Sequence, residues 1–431
     1  MELLRERLLY MGRLEPRPTL MVPAEPFRPK AADWLQAGAV AVALFALYAA
    51  TAPRTVALED DGLFILSSYF LGIEHPPGYP LFTLIGHLFT YLPFGSVAYR
   101  VHLASAMFGA LTGGMAWLCA RSLIAGRLPA YLAALALGAS PVFWSQAVIA
   151  EVYTFNTFFF LVLAFMGLRI CPPGSPAAGI AQANRWLAWM AFVFGLSLSN
   201  HYPLMLLVAP AFVVLLWPLH RVLLRRFPLL LALVLLGLAP YAWMVWRSRQ
   251  PLPISFDGPL ETIPEILFFI GRKGYAGIDH SVSATWLDHI KFFRFLGGQL
   301  LVQFAVLGTM FAAAGFAVQW RILGRRIGAF MTVAFVMPSA VLILLLGFDY
   351  DSFRAHVFEV YPLPAYAVCA LWLSLGFTWT AQRYARRAAH AAIAGTGLVA
   401  LILAGGARIN LFGADDWGAR YAKTVLETLP N

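Results

Sequence analysis

Charge is what this sequence has least of. Only 12% of its 431 residues are charged, while 60% are hydrophobic. That balance excludes a soluble globular enzyme and leaves an all-α polytopic membrane protein. Lysine is confined to Lys30, Lys273, Lys291 and Lys423, so arginine carries most of the formal net charge of +10. The basic residues are spread between apolar runs rather than gathered on one patch, which argues against a nucleic-acid partner. Cysteine is scarce as well. Cys119, Cys171 and Cys369 stand far apart, in or beside apolar segments, and give neither a disulfide framework nor a thiolate metal site. The apolar runs are continuous, without the alternation of a β-barrel. Internal repeats, low-complexity segments, a Walker loop, a dinucleotide fingerprint and a His-Glu-x-x-His zinc helix are all missing.

What is present is a series of apolar segments, each near the length a bilayer requires. They fall at about 34–52, 98–120, 128–143, 152–168, 186–201, 204–219, 227–246, 299–320, 328–347, 358–381 and 391–411, which predicts eleven transmembrane helices. With the N-terminus inside, Lys and Arg concentrate in the inner tail and loops, as the positive-inside rule requires. The acids give separate support: apart from those in the N-terminal tail, every one falls outside. The expected organisation is a basic cytoplasmic tail (1–33), a transmembrane module (34–250) whose first external loop spans 53–97, an external loop (251–298), and a C-terminal transmembrane module with an external tail (299–431). The tail's first turns read either as an amphipathic helix on an anionic leaflet or as a disordered arm. Gly109–Gly114 reads as a small-residue packing face.

The polar chemistry gathers outside. In the first external loop, Glu59-Asp60-Asp61-Gly62 precedes a short apolar helix. Then come Glu74-His75-Pro76-Pro77-Gly78-Tyr79-Pro80 and a second short helix, the prolines ending helices and fixing direction. Acids clustered in a chain this apolar mark a site, since a charge at mid-membrane costs about 2.5–3.5 kcal/mol even on the lenient scale; the alternative is decoration of an external loop. Glu151, where the fourth span begins, needs a partner such as Arg100 or His201. A further cluster, Asp349, Asp351, Arg354, His356 and Glu359, reads as a solvated loop or as part of the site.

Four strings carry a resemblance: Asp60-x-Gly62; Leu71-Gly72-x-x-His75-Pro76-Pro77-Gly78-Tyr79-Pro80; Trp144-Ser145-Gln146-Ala147-x-x-x-Glu151-Val152-Tyr153-x-x-Asn156; and Gly195-Leu196-Ser197-Leu198-x-Asn200-His201. Together they resemble the family of the animal transmembrane protein O-mannosyltransferase, mainly over residues 34–250. That family is similar to the GT-C class of polytopic glycosyltransferases. The resemblance implies two interfacial helices in the first external loop, an acid there, and a polyprenyl-phosphate sugar as donor. One departure matters. Where the family usually carries an acid two residues after Asp61 this chain has Leu63, and Asp61 replaces a small hydroxyl residue, so the matching acid is Asp60.

Transfer from a lipid phosphate needs a base for the acceptor hydroxyl and cations for the departing phosphate. The expected catalytic residues are Asp60, Asp61 and Glu151, with Asp60 as base and Glu59 as a further understudy. The expected substrate contacts are His75, Tyr79, Tyr153, Asn156, Asn200, His201, Arg247, Arg249, Arg272 and Lys273. Several have a plainer reading: His75 as a structural hydrogen-bonding residue, Asn156, Asn200 and His201 as polar packing between helices, and Arg247 and Arg249 as side chains snorkelling to headgroups. Asp60, Asp61 and Glu151 offer the oxygen ligands a divalent cation prefers, but nothing in the spacing requires one, and catalysis without metal is the expectation. The leading reading is a glycosyltransferase moving a hexose, mannose-like, to a hydroxyl of a protein, lipid or glycan. It would sit in a bacterial inner membrane, a source to which the excess of arginine points, with its site facing the periplasm or exterior. A transporter or lipid flippase is the rival, though it predicts repeats and paired broken helices; a scaffold without chemistry leaves the acid cluster unexplained.

Overall fold

The computed structural model describes residues 22–23, 25–275, 281, 283–385, 387–411 and 417–428. The N-terminal arm over 1–21 lies outside them, and with it the expected amphipathic helix. Among the described residues the chain is largely helical, with an isolated bridge between Ile73 and Ser255. The first half comprises α1 (Ala31–Thr51), α2 (Asp61–Phe70), α3 (Pro80–Thr90), α4 (Val97–Leu123), α5 (Leu128–Gly138), α6 (Pro141–Val148), α7 (Tyr153–Ile170), α8 (Ile180–Leu216), α9 (His220–Gly237) and α10 (Ala239–Ser248). Then follow α11 (Ile263–Ile270), α12 (Trp286–Ile322), α13 (Arg325–Val336), a π-helical turn over Met337–Val341, α14 (Leu342–Leu345), α15 (Ser352–Glu359), α16 (Leu363–Tyr384), α17 (Ala388–Asn410) and α18 (Trp417–Thr428).

Eight helical stretches among the described residues are long and apolar enough to cross a membrane, or nine if α5 and α6, bent by 63°, form one span. This count does not confirm the expected eleven, because three expected spans share the 58-residue helical stretch Ile180–Gly237. Within it, α8 breaks at His201, whose backbone leaves the helical region (φ −153°, ψ 87°) ahead of Pro203. A Cβ built on Gly167 would meet both Leu215 and Met190. Those residues lie 25 positions apart in α8, so its two legs fold back beside α7.

α4 and α16 form the centre, each with 83% of its apolar stretch buried, against 17% for α17 and 22% for α1. The small-residue face of α4 packs as its composition suggests, since side chains at Gly113 and Gly114 would collide with Leu44 and with the Ala37 carbonyl of α1. Tyr48, wholly buried, donates to the Gly138 carbonyl at 2.7 Å and ties α1 to α5. At the periphery, α9 buries only Gly237 and turns Leu224, Leu231, Leu235 and Leu236 outward, as a lipid-facing helix does. The first loop holds two short helices, α2 and α3, as expected. Between them the chain reverses through Gly78 (φ +100°), where any side chain would strike Met244 and Phe269.

Candidate active site

The local fold begins with Asp61, at the first position of α2 and completely buried. Its Oδ2 accepts from the Ala57 N–H at 2.7 Å and its Oδ1 from the Ala150 N–H at 2.7 Å. His102 Nε2 of α4 stands 2.8 Å from the same Oδ1, and its Nδ1 is 3.0 Å from the Pro53 carbonyl. Asp61 thereby knots the first loop to α4 and to the turn between α6 and α7. Both its oxygens are engaged by the fold, and it does not line the cavity described next. Among the described residues no group of three or more His, Cys, Asp or Glu is arranged to hold an ion.

The knot points the two flanking acids into one space. Asp60 and Glu151 both line a cavity of about 1010 Å³, together with His75, Tyr79, Tyr153, His201 and Arg272. Asp60 is half exposed, and its Oδ2 lies 3.1 Å from His75 Nε2. That ring, with Arg272 beyond it, holds the Asp60 carboxyl below the ordinary carboxylate range despite partial burial. Glu151 is the opposite case. Burial, reinforced by the negative charges of Glu59 and Asp60, pushes its carboxyl well above the usual range. Two acids facing one cavity are thus pushed in opposite directions. Arg100, expected as a counter-ion for Glu151, is spent instead on the carbonyls of Thr90 and Leu92.

The walls are aromatic and apolar. Tyr79 stacks on His201 with ring centroids 5.7 Å apart, and Tyr153 lies 5.6 Å from the same ring. Arg272 donates to the Pro76 carbonyl at 2.7 Å and lies over the Tyr275 ring. Opposite, Leu342, Leu345, Leu346 and Phe348 give a greasy flank just after the π-helical turn. Glu59, Tyr79 and Arg272 line the cavity with positive φ values of 68°, 41° and 53°. Such conformations cost about 1–3 kcal/mol each in non-glycine residues and collect where geometry is held for function.

Other expected contacts lie elsewhere. Arg247 donates to the carbonyls of Leu71 and Phe70, closing the C-terminal end of α2, and Arg249 donates to those of Leu260 and Glu261. Arg247 thus caps the end of α2, while Arg249 holds the loop ahead of α11. Lys273 is exposed beside Arg272 without lining the cavity. Asn200 donates to the Val152 carbonyl at 3.0 Å, and Asn156 is buried in α7, so both sit behind the wall. Conversely, Asp351, Arg354 and His356 do line it. His356 joins Glu59 at 3.1 Å and Glu359 at 2.8 Å. Their density of charge in an apolar chain was the available signal. Tyr275 and Tyr361, also in the lining, give none in a sequence so rich in aromatics.

Residues 60–222 match the family model described as Protein O-mannosyl-transferase TMEM260 N-terminal domain. The chain is 34% identical over 269 residues to Protein O-mannosyl-transferase TMEM260 of Mus musculus, covering 59% of this chain and 37% of that protein. It is 29% identical over 206 residues to the Dictyostelium discoideum protein of the same name, covering 45% and 25%. The chain thus spans well under half the length of the curated relatives it matches. Among solved structures it is similar to ArnT from Cupriavidus metallidurans bound to undecaprenyl phosphate, with a TM-score of 0.58 at 16% identity, covering 86% of this chain and 64% of that one. The Archaeoglobus fulgidus oligosaccharyltransferase in complex with Zn and sulfate gives 0.54 at 14%, covering 88% and 53%. At such identities these two show the fold, which is of the GT-C type.

Proposed function

We propose that this chain, whose residues 60–222 match the Protein O-mannosyl-transferase TMEM260 N-terminal domain, is a membrane glycosyltransferase that moves a hexose, mannose-like, from a polyprenyl-phosphate donor to a hydroxyl acceptor. The observation that carries the reading is one cavity lined by two acids, Asp60 and Glu151, by the Arg272 guanidinium and by an apolar flank. The flank suits the first isoprene units and the cation suits the phosphate. The relative solved with undecaprenyl phosphate supports a donor of that class. The charge distribution supports an external cavity and a cytoplasmic N-terminus, and the excess of arginine over lysine supports a bacterial inner membrane as the setting.

In this mechanism the acceptor oxygen attacks the anomeric carbon as the bond from that carbon to the phosphate oxygen breaks. The acceptor proton passes to Asp60, and polyprenyl phosphate leaves. Arg272 and Arg354, both in the lining, stabilise the charge that develops on the phosphate. The low pKa of Asp60 makes it a weak base, so it takes the proton late, once bond formation has acidified the hydroxyl. Glu151 in its acid form donates a hydrogen bond to a sugar oxygen and keeps a second negative charge away from the phosphate. His75 fixes the Asp60 carboxylate. No step in this sequence calls for a metal ion.

The test is sugar transfer from a labelled mannosyl polyprenyl phosphate by the wild type and Asp60→Asn in lipid nanodiscs. General-base catalysis contributes about 10²–10⁴-fold, and a loss of that size with unchanged donor binding is expected. Full activity in Asp60→Asn removes Asp60 as base. A wild type that translocates the lipid without transferring sugar overturns the glycosyltransferase reading in favour of a flippase.

A further inference from the structure

No Asp or Glu occurs between Glu151 and Asp257. Four arginines in that interval, Arg185, Arg221, Arg225 and Arg226, are exposed, and among the described residues none of their side chains has a hydrogen bond or ion pair. Other arginines at that end of the bundle are engaged. Arg169 donates to the Phe27 carbonyl, Arg326 to the carbonyls of Cys171 and Pro172, and Arg121 lies 3.9 Å from Asp33. Helix packing brings the four unpaired cations together. A Cβ on Gly195 of α8 would meet the Val234 backbone of α9, one on Gly237 would meet Phe192 and Leu196, and Ser199 donates to the Gly237 carbonyl at 3.1 Å. The first leg of α8 and α9 therefore run side by side in the same direction. Arg185, two turns before Phe192, and Arg226, three turns before Gly237, fall at one level on the facing stripes of this pair. Arg221 and Arg225 stand one turn apart on α9 at the same end. That level is about 24 Å along α8 from His201, so the patch lies at the opposite face of the bundle from the large cavity.

Four guanidinium groups gathered without a carboxylate repel one another, and an anion between them relieves that repulsion. Trp189, Trp217, Leu224 and Phe227 are exposed among them. Large apolar side chains interleaved with cations fit the depth at which acyl chains meet headgroups. A soluble anion or a nucleic acid would leave those side chains in water. The cations also stand on two packed helices, whose axes lie about 8–10 Å apart, a spread wider than one phosphate covers. We propose that this end of the α8–α9 pair binds an anionic phospholipid headgroup with two phosphates, as in cardiolipin, in the leaflet opposite the large cavity. Arginine suits the task because its planar fork holds phosphate oxygens in pairs. The inference stands apart from the transfer chemistry, since none of these residues lines the large cavity.

The test is a titration of the full-length protein in neutral detergent with cardiolipin, phosphatidylglycerol, phosphatidylcholine or inorganic phosphate, with bound lipid read by native mass spectrometry. The proteins are the wild type, Arg185→Gln, the double variant Arg221→Gln with Arg225→Gln, and Arg127→Gln, which removes an exposed arginine ahead of α5 and outside the patch. The wild type should hold cardiolipin more tightly than phosphatidylglycerol and phosphatidylcholine least. One basic side chain near an anionic surface is worth about a fivefold factor, so Arg185→Gln should weaken cardiolipin about fivefold and the double variant about 25-fold. Arg127→Gln should bind as the wild type does. Thermal midpoints without lipid should match throughout, because these side chains hold nothing else in the fold; should the double variant alone melt early, Arg185→Gln on the other helix carries the test. Equal weakening by Arg127→Gln would mean diffuse attraction to a basic face and overturn the site. So would displacement of cardiolipin by millimolar inorganic phosphate, which marks a small-anion site, or phosphatidylglycerol binding as tightly as cardiolipin.

Discussion

The two sides of the cavity are built by different physics. The side made by residues 53–156 is set by Asp61, a fully buried carboxylate whose oxygens meet two backbone N–H groups and the His102 ring. The side made by Asp351–Tyr361 is attached to the first loop through His356, whose side chain is 56% exposed between Glu59 and Glu359. The first arrangement is costly to break, because removing one member strands buried polar groups. The second is solvent-screened and titratable. The contrast predicts a fixed geometry for the acids and greater mobility for the opposing side.

Breaking the rigid side should give the largest effect. Asp61→Ala leaves the Ala57 and Ala150 amides and the His102 ring without their acceptor, and a loss of about 3–5 kcal/mol is expected. It should appear as a lower thermal midpoint in detergent and, in whatever folds, as lost transfer, because Glu151 follows directly on Ala150. A variant as stable as the wild type would mean that the knot does not hold the site. Asp60, one residue earlier, gives the complementary result: Asp60→Asn should cost activity and little stability.

The same side contains one unfavourable group. Glu74 is 2% exposed, with the Ser67 hydroxyl and the His75 backbone the polar groups nearest its carboxyl. Burial pushes its pKa up to about 7. A carboxyl raised in the folded state binds more protons there than in the unfolded chain, so its contribution worsens as pH climbs from about 4.5 to 7. The ceiling is roughly 3 kcal/mol at 1.36 kcal/mol per pKa unit. Glu74→Gln should flatten that part of the stability–pH curve, and a curve still parallel to the wild type's would place the titration on another group.

The rigid side was largely legible in the sequence and the mobile side was not. Asp60, His75 and Glu151 stand in local strings with a recognisable order, and the prolines and Gly78 fix the turn between two short helices. Asp61 was grouped with them because sequence spacing does not reveal which of two adjacent acids points inward; burial decides it. Arg247 and Arg249 read as phosphate contacts since charge at a helix mouth looks alike whether it meets a ligand or a carbonyl. His356 pairs with Glu59 across 297 residues, and no periodicity or spacing encodes such a contact. The count of spans is unconfirmed in the one place where three apolar segments follow one another as helix, interrupted by the backbone of His201 rather than by a polar loop.

The smallest expected effect sharpens the comparison most. The hydrogen bond to Glu59, aided by the charge of Glu359 and opposed by burial, raises His356 to about 9. A histidine raised in the folded state contributes stability that is full below its unfolded value near 6.5 and is lost as pH rises through about 9. With the ring half exposed, that contribution is about 1 kcal/mol or less, too small to unfold the protein but enough to free one segment. Amide hydrogen exchange over Ser352–Glu359 should therefore quicken above pH 9 beyond the intrinsic rise, while the amides of Ala57 and Ala150, held by Asp61, should not. His356→Gln should show the quickened exchange at every pH. Equal protection of both sides at pH 10 would mean that the Asp351–Tyr361 side is held by its apolar packing, in which Phe358 is fully buried, rather than by the histidine, and the mobile side would then be as fixed as the other.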